Sequence, residues 1–273
     1  MFILMQYLLP QHLLSRWGGI LANCKISWVK NALIRAALKH YPIDMDSAKA
    51  KDPFSYASFN AFFTRELAHP AATYFPEAPT WGAPAEGILS QYGCTQAGTL
   101  IQAKGKHYSV AALLAHHSWT AALQTGSFAT LYLAPHNYHR VHSPVAGILT
   151  EIRSVPGKLF SVNLQTASHI EGLFTKNARM IFYIDTPHGK VALVMVGALM
   201  VSGIKTAFPQ GAGLSIPIQI GAELGYFDFG STVVWVTEKP LDFTVAEGSA
   251  TSLGQPVCIE SNPNIVYDHQ KTD

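Results

Sequence analysis

Charge is what this chain has least of. Only 13% of its 273 residues are Asp, Glu, Lys or Arg, 48% are hydrophobic, and the net charge is +2 with 12 histidines counted as neutral. So weak a field offers no electrostatic footprint for nucleic acid, and RNP-like, zinc-finger and basic-zipper patterns are absent too. Cysteine is scarce: Cys24, Cys94 and Cys258 are far apart and odd in number. Neither a disulfide framework nor a Cys-x-x-Cys zinc pair is expected, and the three read as small buried hydrophobes in a reducing compartment. No apolar run is long enough to cross a bilayer. The longest, Val191 to Ile204, lies between Lys190 and Lys205; it falls short of the roughly 18–20 residues a spanning helix needs and reads as a buried strand pair. The N-terminal stretch Met1 to Pro10 lacks the basic flank and small-residue cleavage site of a secretory signal.

Acidic residues are missing before Asp44, and up to Tyr41 the only charges are Arg16, Lys25, Lys30, Arg35 and Lys39. They are interleaved with Leu13, Leu14, Trp17, Ile20, Leu21, Trp28 and Ile34. The spacing Ile26, Val29, Leu33, Ala37 predicts a helix, with Lys30, Arg35 and Lys39 at its margins. Two readings are open for this arm. It can lie on an anionic membrane surface, or it can be a helical pair packed on the protein's own core with its basic residues solvated. Ser58 to Leu67 predicts a last amphipathic helix, capped by Ser58 or Asn60.

Beyond residue 80 the texture is β. Short runs such as Thr130–Leu133, Arg179–Ile184 and Thr232–Val236 are punctuated by Gly and Pro. Ser109 to Ala115, short and Ala-rich, predicts one helix. The expected fold class is α+β: a helical arm, residues 1–67, on a mostly antiparallel β-sheet core, residues 68–273.

Two stretches carry chemistry. Pro135-His-Asn-Tyr-His-Arg-Val-His-Ser-Pro144 holds His136, His139 and His142 between prolines that favour a loop or strand edge. Three such rings suit acid–base work. A His₃ zinc site is a rival, though no acidic residue lies within the cluster to complete it, and solvated loop histidines are a third reading. The second stretch, Gly221 to Val236, reads as a strand on both sides yet carries Gly230-Ser231-Thr232 at its centre, where a glycine usually marks a bulge, a bend or a close backbone approach.

With these in view, the sequence resembles the phosphatidylserine decarboxylase family of the bacterial type. The resemblance is carried, in order, by Ser58 to Leu67, Pro84-Ala-Glu-Gly87, Gln102 to Tyr108, Tyr138-His-Arg-Val-His142, Pro156 to Asn163, Val196-Gly-Ala198 and Glu223 to Thr232. It implies a proenzyme that cuts itself between Gly230 and Ser231, giving a β chain of residues 1–230 and an α chain of residues 231–273. Ser231 Oγ attacks the Gly230 carbonyl, the ester loses its acyl group by β-elimination, and the dehydroalanine hydrolyses to a pyruvoyl cofactor and ammonia. Thr232 is a candidate hydroxyl donor to the developing oxyanion. The serine amine of phosphatidylserine then forms a Schiff base with that group, which takes up the electrons released with CO₂ to leave phosphatidylethanolamine.

By the same resemblance His142 is the base for cleavage, Glu86 its orienting acid, and His139 the residue that assists decarboxylation or reprotonation. Tyr132 and Tyr138 line the substrate pocket, or pack in the core. A diacyl substrate implies a peripheral protein on the cytoplasmic side of the cell membrane, and a homodimer is implied as well. Several residues depart from the family's pattern: Glu86 where Asp is usual, Phe229 where Leu is usual, Ala178 in the Asn177-Ala178-Arg179 stretch, the order Ser202-Gly203, and a short Phe208–Gly221 segment. Glu86 motivates a rival from another class, an uncut relative that only binds lipid. A third reading, a soluble pyruvoyl decarboxylase of a free amino acid, is disfavoured by the apolar basic arm.

Overall fold

The computed structural model describes residues 6–7, 9–199, 203–228 and 230–261. Phe229 and Ser202, two of the departures named above, lie outside the described residues, as do Met1 to Met5 of the N-terminal stretch. Two helices open the chain, α1 (Gln11–Ala22) and α2 (Ser27–His40), followed by the short α3 (Phe59–Phe63). Ser58 caps α3 by accepting from Ala61 N, as one of the two predicted caps. The strands then come in quick succession: β1 (Thr80–Gly82), β2 (Gly87–Cys94), β3 (Thr99–Ala103), β4 (Lys106–Ser109), β5 (Ser127–Leu133), β6 (Arg140–His142) and β7 (Gly147–Val155). After them run β8 (Arg179–Thr186), β9 (Gly189–Val196), β10 (Ile204–Lys205), β11 (Gly211–Ile218), β12 (Glu223–Phe227) and β13 (Ser231–Thr237). The last are β14 (Leu241–Phe243), β15 (Ala250–Thr251) and β16 (Pro256–Glu260). Three short α-helices interrupt them among the described residues: α4 (Val110–Leu113), capped by Ser109 where the sequence predicts a helix, α5 (Leu164–Ala167) and α6 (Leu173–Lys176).

Eight strands form the main sheet, in the order β11-β7-β8-β9-β13-β5-β2-β15, and every strand pairing in the fold is antiparallel. Smaller sheets β1-β16-β14 and β10-β12-β6 cover one face; the β3-β4 hairpin and helices α4 to α6 cover the other. Successive side chains of a strand point to opposite faces. Val233 and Trp235 therefore join Leu131, Leu193, Val141 and Phe227 in one core layer, while Val234 and Val236 join Phe128, Val194 and Val196 in the other. Burial on both faces is why β13 reads as an unbroken apolar run. The architecture is the α+β arrangement that the sequence predicts.

Three expectations need correcting. Val191–Ile204 is no strand pair: β9 pairs with β8 and β13 in the main sheet, whereas β10 belongs to a small sheet with β12. Of the cysteines only Cys258 is buried; Cys94 is exposed at the end of β2. The buried stripe of α2 is turned from the predicted one. Lys30 and Ile34 face inward and Ile26 is 55% exposed, because Lys30 Nζ donates to the Phe54 carbonyl (2.6 Å) and to Asn31 Oδ1 (3.0 Å).

Helix α1 is inside-out. Its buried residues are Gln11, Ser15 and Gly19, while Leu13, Trp17, Ile20 and Leu21, spaced along one side, are 50% or more exposed. Two buried glutamines fasten it to the core: Leu159 N donates to Gln11 Oε1 and Ser161 N to Gln6 Oε1, both at 2.8 Å. The Pro156–Asn163 motif is thus where the arm is moored.

Candidate active site at the Gly230–Ser231 junction

Gly230 does not sit inside one strand. The stretch from Glu223 to Thr237 breaks into β12, in the small sheet with β6, and β13, in the centre of the main sheet, with Gly230 in the joint. The irregularity expected at the glycine falls earlier, between Glu223 and Gly225 in the pairing with β6. Gly225 is needed there, since a Cβ would meet the Lys205 carbonyl oxygen at 2.3 Å. Gly230 is different: a Cβ there would meet only the Leu133 carbonyl oxygen, at the ordinary contact distance of 3.8 Å, so packing against other segments does not demand a glycine.

Ser231 opens β13, opposite Leu133 of β5. Alternation gives its side chain the Val233–Trp235 face, while Thr232 takes the other face opposite Tyr132. Ser231 Oγ and Thr232 Oγ1 are buried and have no hydrogen-bond partner among the described residues. An unsatisfied buried hydroxyl costs about 1–3 kcal/mol and calls for an explanation. A group made covalently from Ser231 fits here, because the hydroxyl is committed to no structural bond among the described residues.

The histidines diverge. The His136 ring lies 6.4 Å from that of Tyr41. His139 is fully buried under Phe63 of α3, with ring centres 4.1 Å apart. Its Nδ1–H donates to the Asn137 carbonyl (2.7 Å), which leaves a lone pair on Nε2, and Nε2 has no partner among the described residues. Burial pushes its pKa down to about 3, so the ring is neutral at physiological pH. The His139 carbonyl accepts from Phe227 N (3.1 Å), just upstream of the junction. His142 is buried at the end of β6. Its Nδ1–H donates to the Gly221 carbonyl (2.9 Å) and its Nε2 accepts from Tyr138 Oη (3.1 Å). Burial lowers its pKa, against the pull of the Gly221 carbonyl, and raises that of the Tyr138 hydroxyl, which therefore stays a donor. Burial likewise raises the Tyr132 hydroxyl, on the face shared with Thr232.

Glu86 binds elsewhere than the imidazole. Its Oε1 accepts from Asn137 Nδ2 (2.7 Å) and its Oε2 from Tyr138 N (3.2 Å). The link from Glu86 to His142 thus runs through Tyr138, whose amide meets the carboxylate and whose hydroxyl meets the ring. Glu86 is also the foremost counter-charge to buried Arg65, whose guanidinium burial pushes down.

Sequence reasoning passed over the residues that hold this assembly together. Arg140 Nη1 reaches both carboxylate oxygens of Glu223 (2.9 and 3.1 Å), its Nε donates to the Thr64 carbonyl (3.0 Å), and it stacks over Tyr226. One side chain so ties the segment after α3 to β12. Asn60 Nδ2 donates to Asp228 Oδ1 (3.1 Å), and Asp228 N to the Gly203 carbonyl. Arg140 stands inside the histidine motif and Asp228 just ahead of Gly230, so position was a signal; the partners they choose, far off in sequence, were not. Ala178 proves incidental: Asn177 bonds Phe160 and Gly197, and Arg179 donates to four carbonyls around α4 and α6, without help from the residue between.

Known proteins are similar in sequence along most of the chain. The family model for phosphatidylserine decarboxylase matches residues 59–259, and a second, described as PSD, matches residues 1–42. A phosphatidylserine decarboxylase proenzyme of Azotobacter vinelandii is 46% identical over 255 residues, covering 86% of this chain and 88% of its own. Those of Pseudomonas fluorescens and Ectopseudomonas mendocina are 41% and 43% identical over 285 and 282 residues, covering 94% and 93% of this chain and 98% and 96% of theirs. A match that runs from α3 through both histidines and the junction into β16, at such identity, means that the chain belongs to the phosphatidylserine decarboxylase family.

Proposed function

We propose that this chain decarboxylates phosphatidylserine at a membrane surface, after cutting itself between Gly230 and Ser231. The observation that carries the reading is the buried hydroxyl of Ser231, without a hydrogen-bond partner among the described residues, at the joint of two sheets. Its oxygen attacks the Gly230 carbonyl as the amide C–N bond breaks, and elimination releases residues 1–230 as a carboxylate. Water then replaces the nitrogen, which leaves as ammonia, and residues 231–273 begin with a pyruvoyl group. That group supplies an electrophilic carbonyl and an electron sink for decarboxylation.

His142 is the base for cleavage: with Nδ1–H held by Gly221, Nε2 is the end that takes a proton. In the uncut chain that end accepts from Tyr138, so cleavage requires Tyr138 to yield to Ser231. Glu86 is a positioning residue, acting through the Tyr138 amide. His139, neutral and with a lone pair at Nε2 that has no partner among the described residues, receives and returns a proton there. Tyr132, beside Thr232, borders the site from the opposite face of the sheet.

The inverted face of α1 supports membrane docking. Trp17 is 64% and Trp28 75% exposed, with Ile20, Leu21 and Ile26 around them. No helix among the described residues is long and apolar enough to cross a membrane, so the arm lies along the surface. The protein is expected to float with vesicles containing anionic lipid, and Trp17→Ala with Trp28→Ala to weaken partitioning by at least about tenfold, or about 1.4 kcal/mol. Wild type left at the bottom of the gradient would favour the soluble amino-acid enzyme.

Glu86, bonded to Asn137 and Tyr138 rather than to His142, is what favours the uncut lipid-binding rival. Intact-mass measurement decides between them. Purified protein should give two chains, residues 1–230 and 231–273, the second lighter by one ammonia than a chain beginning with serine. A single chain of 273 residues would sink the self-cleaving enzyme.

A further inference from the structure

A cavity of about 610 Å³ lies between the inner side of α1 and the residues just before the junction, a size that holds small-molecule ligands. At its lining stand His12 and Arg16 from α1, Asn60 of α3, Lys205 of β10, Tyr226 of β12, and Asp228. Arg16 and Lys205 bring positive charge to it from two different elements. Lys205 Nζ and Asp228 Oδ2 both come close to Gly203, each 3.6 Å from the position a Cβ would take there, so both side chains border the cavity on the β10 side. Asn60 spends its amide hydrogens on Asp228 Oδ1 (3.1 Å) and Asn23 Oδ1 (3.3 Å), leaving Oδ1 buried and without a partner among the described residues. The lining thus offers two cations and, beside Asp228, an unused acceptor.

We infer that this cavity binds the head group of the lipid substrate: Arg16 and Lys205 take the phosphodiester, and Asn60 Oδ1 with Asp228 takes the ammonium on its way to the junction. The inference rests on the decarboxylase reading and adds the residues that hold the substrate. Charge composition supports it. A serine phosphodiester carries a phosphate anion followed by a carbon bearing both an ammonium and a carboxylate; the cavity lining offers the cations Arg16 and Lys205 for the anionic oxygens and the Asn60–Asp228 pair, just upstream of Gly230, for the ammonium. Free inorganic phosphate shares the first half of this chemistry and lacks the second. A lipid source is favoured because Arg16 sits on α1 between Leu13, Trp17 and Ile20, which are exposed where acyl chains would stay in the bilayer.

The test uses the full chain carrying Ser231→Ala, which keeps the uncut form described here, titrated calorimetrically with glycerophosphoserine and, separately, with inorganic phosphate. Glycerophosphoserine should bind at least about tenfold more tightly than phosphate. Arg16→Ala with Lys205→Ala should weaken it by about tenfold or more, and Asn60→Leu should erase its advantage over phosphate. Equal affinity for the two ligands, no saturable binding, or affinity untouched by the variants would each overturn the assignment. In the self-cleaving background, the Arg16→Ala, Lys205→Ala protein should still be cut. Its KM for phosphatidylserine in mixed micelles should rise about tenfold while kcat moves less than about threefold; an unchanged KM would overturn the site while leaving the enzyme reading intact. A wild type that is neither cut nor active would remove that reading instead, with the titration of the uncut chain unaffected.

Discussion

Replacing Ser231 with alanine leaves one chain of 273 residues on a denaturing gel, and release of CO₂ from phosphatidylserine falls to background. The nucleophile and the atoms of the pyruvoyl group come from the same residue, so both activities are lost together and no added pyruvate restores them. Misfolding is not the cause expected. The serine hydroxyl is 1% exposed as a residue and bonds nothing among the described residues; the methyl removes an unmet hydrogen-bond requirement of about 1–3 kcal/mol. The variant should therefore melt cooperatively, no lower than uncut wild-type chain. Normal cutting in Ser231→Ala would mean that another nucleophile opens the chain, and the cleavage chemistry proposed here would fall. A variant that is uncut and unfolded would instead point to a structural role for the hydroxyl, which its lack of partners argues against.

How much of this was legible beforehand differs from element to element. The caps Ser58 and Ser109 are local chemistry, a hydroxyl accepting from an amide three residues on, and the sequence states them directly. The junction was legible as a motif but not as a place. Residues on both sides of Gly230 are strand formers, and local propensity cannot tell one strand from two that join different sheets. The break is decided by pairing: β12 with β6, and β13 with β5 and β9. The arm misleads for a related reason. Periodicity finds an apolar stripe and assigns it to the interior, yet α1 turns Gln11, Ser15 and Gly19 inward, and Gln11 with Gln6 just ahead of the helix meets the core because the amides of Leu159 and Ser161 need acceptors there. Glu86 is the same lesson inside the site. Its residue type fits an orienting acid, but the nearest donors after folding are Asn137 and the Tyr138 amide, and only coordinates reveal that the imidazole is served by Gly221.

His139→Ala separates the two reactions. Cleavage should proceed, giving the chain of residues 231–273, while decarboxylation drops by about 10²–10⁴-fold, the range for loss of a positioned acid–base group. The expected cause is the loss of Nε2, the one ring nitrogen in the histidine motif whose lone pair is buried and unspent among the described residues. Neutrality of that ring gives the variant a second readout that does not depend on turnover. The unfolded chain binds a proton on this histidine near pH 6.5 and the folded chain only near 3, so between those values the unfolded state holds more protons and stability falls as pH falls. The contribution is about 1.4 kcal/mol per pH unit across that window. Wild type should therefore lose stability in acid more steeply than His139→Ala, by about that slope, with His142 adding its own smaller share to both. Equal acid slopes would mean that the folded ring is already protonated, and a protonated ring has no lone pair with which to take the proton. Loss of cutting along with decarboxylation would put His139, rather than His142, at the Ser231 hydroxyl; and since His142 Nε2 is occupied by Tyr138 in the uncut chain, this experiment bears directly on which of the two rings opens the peptide bond.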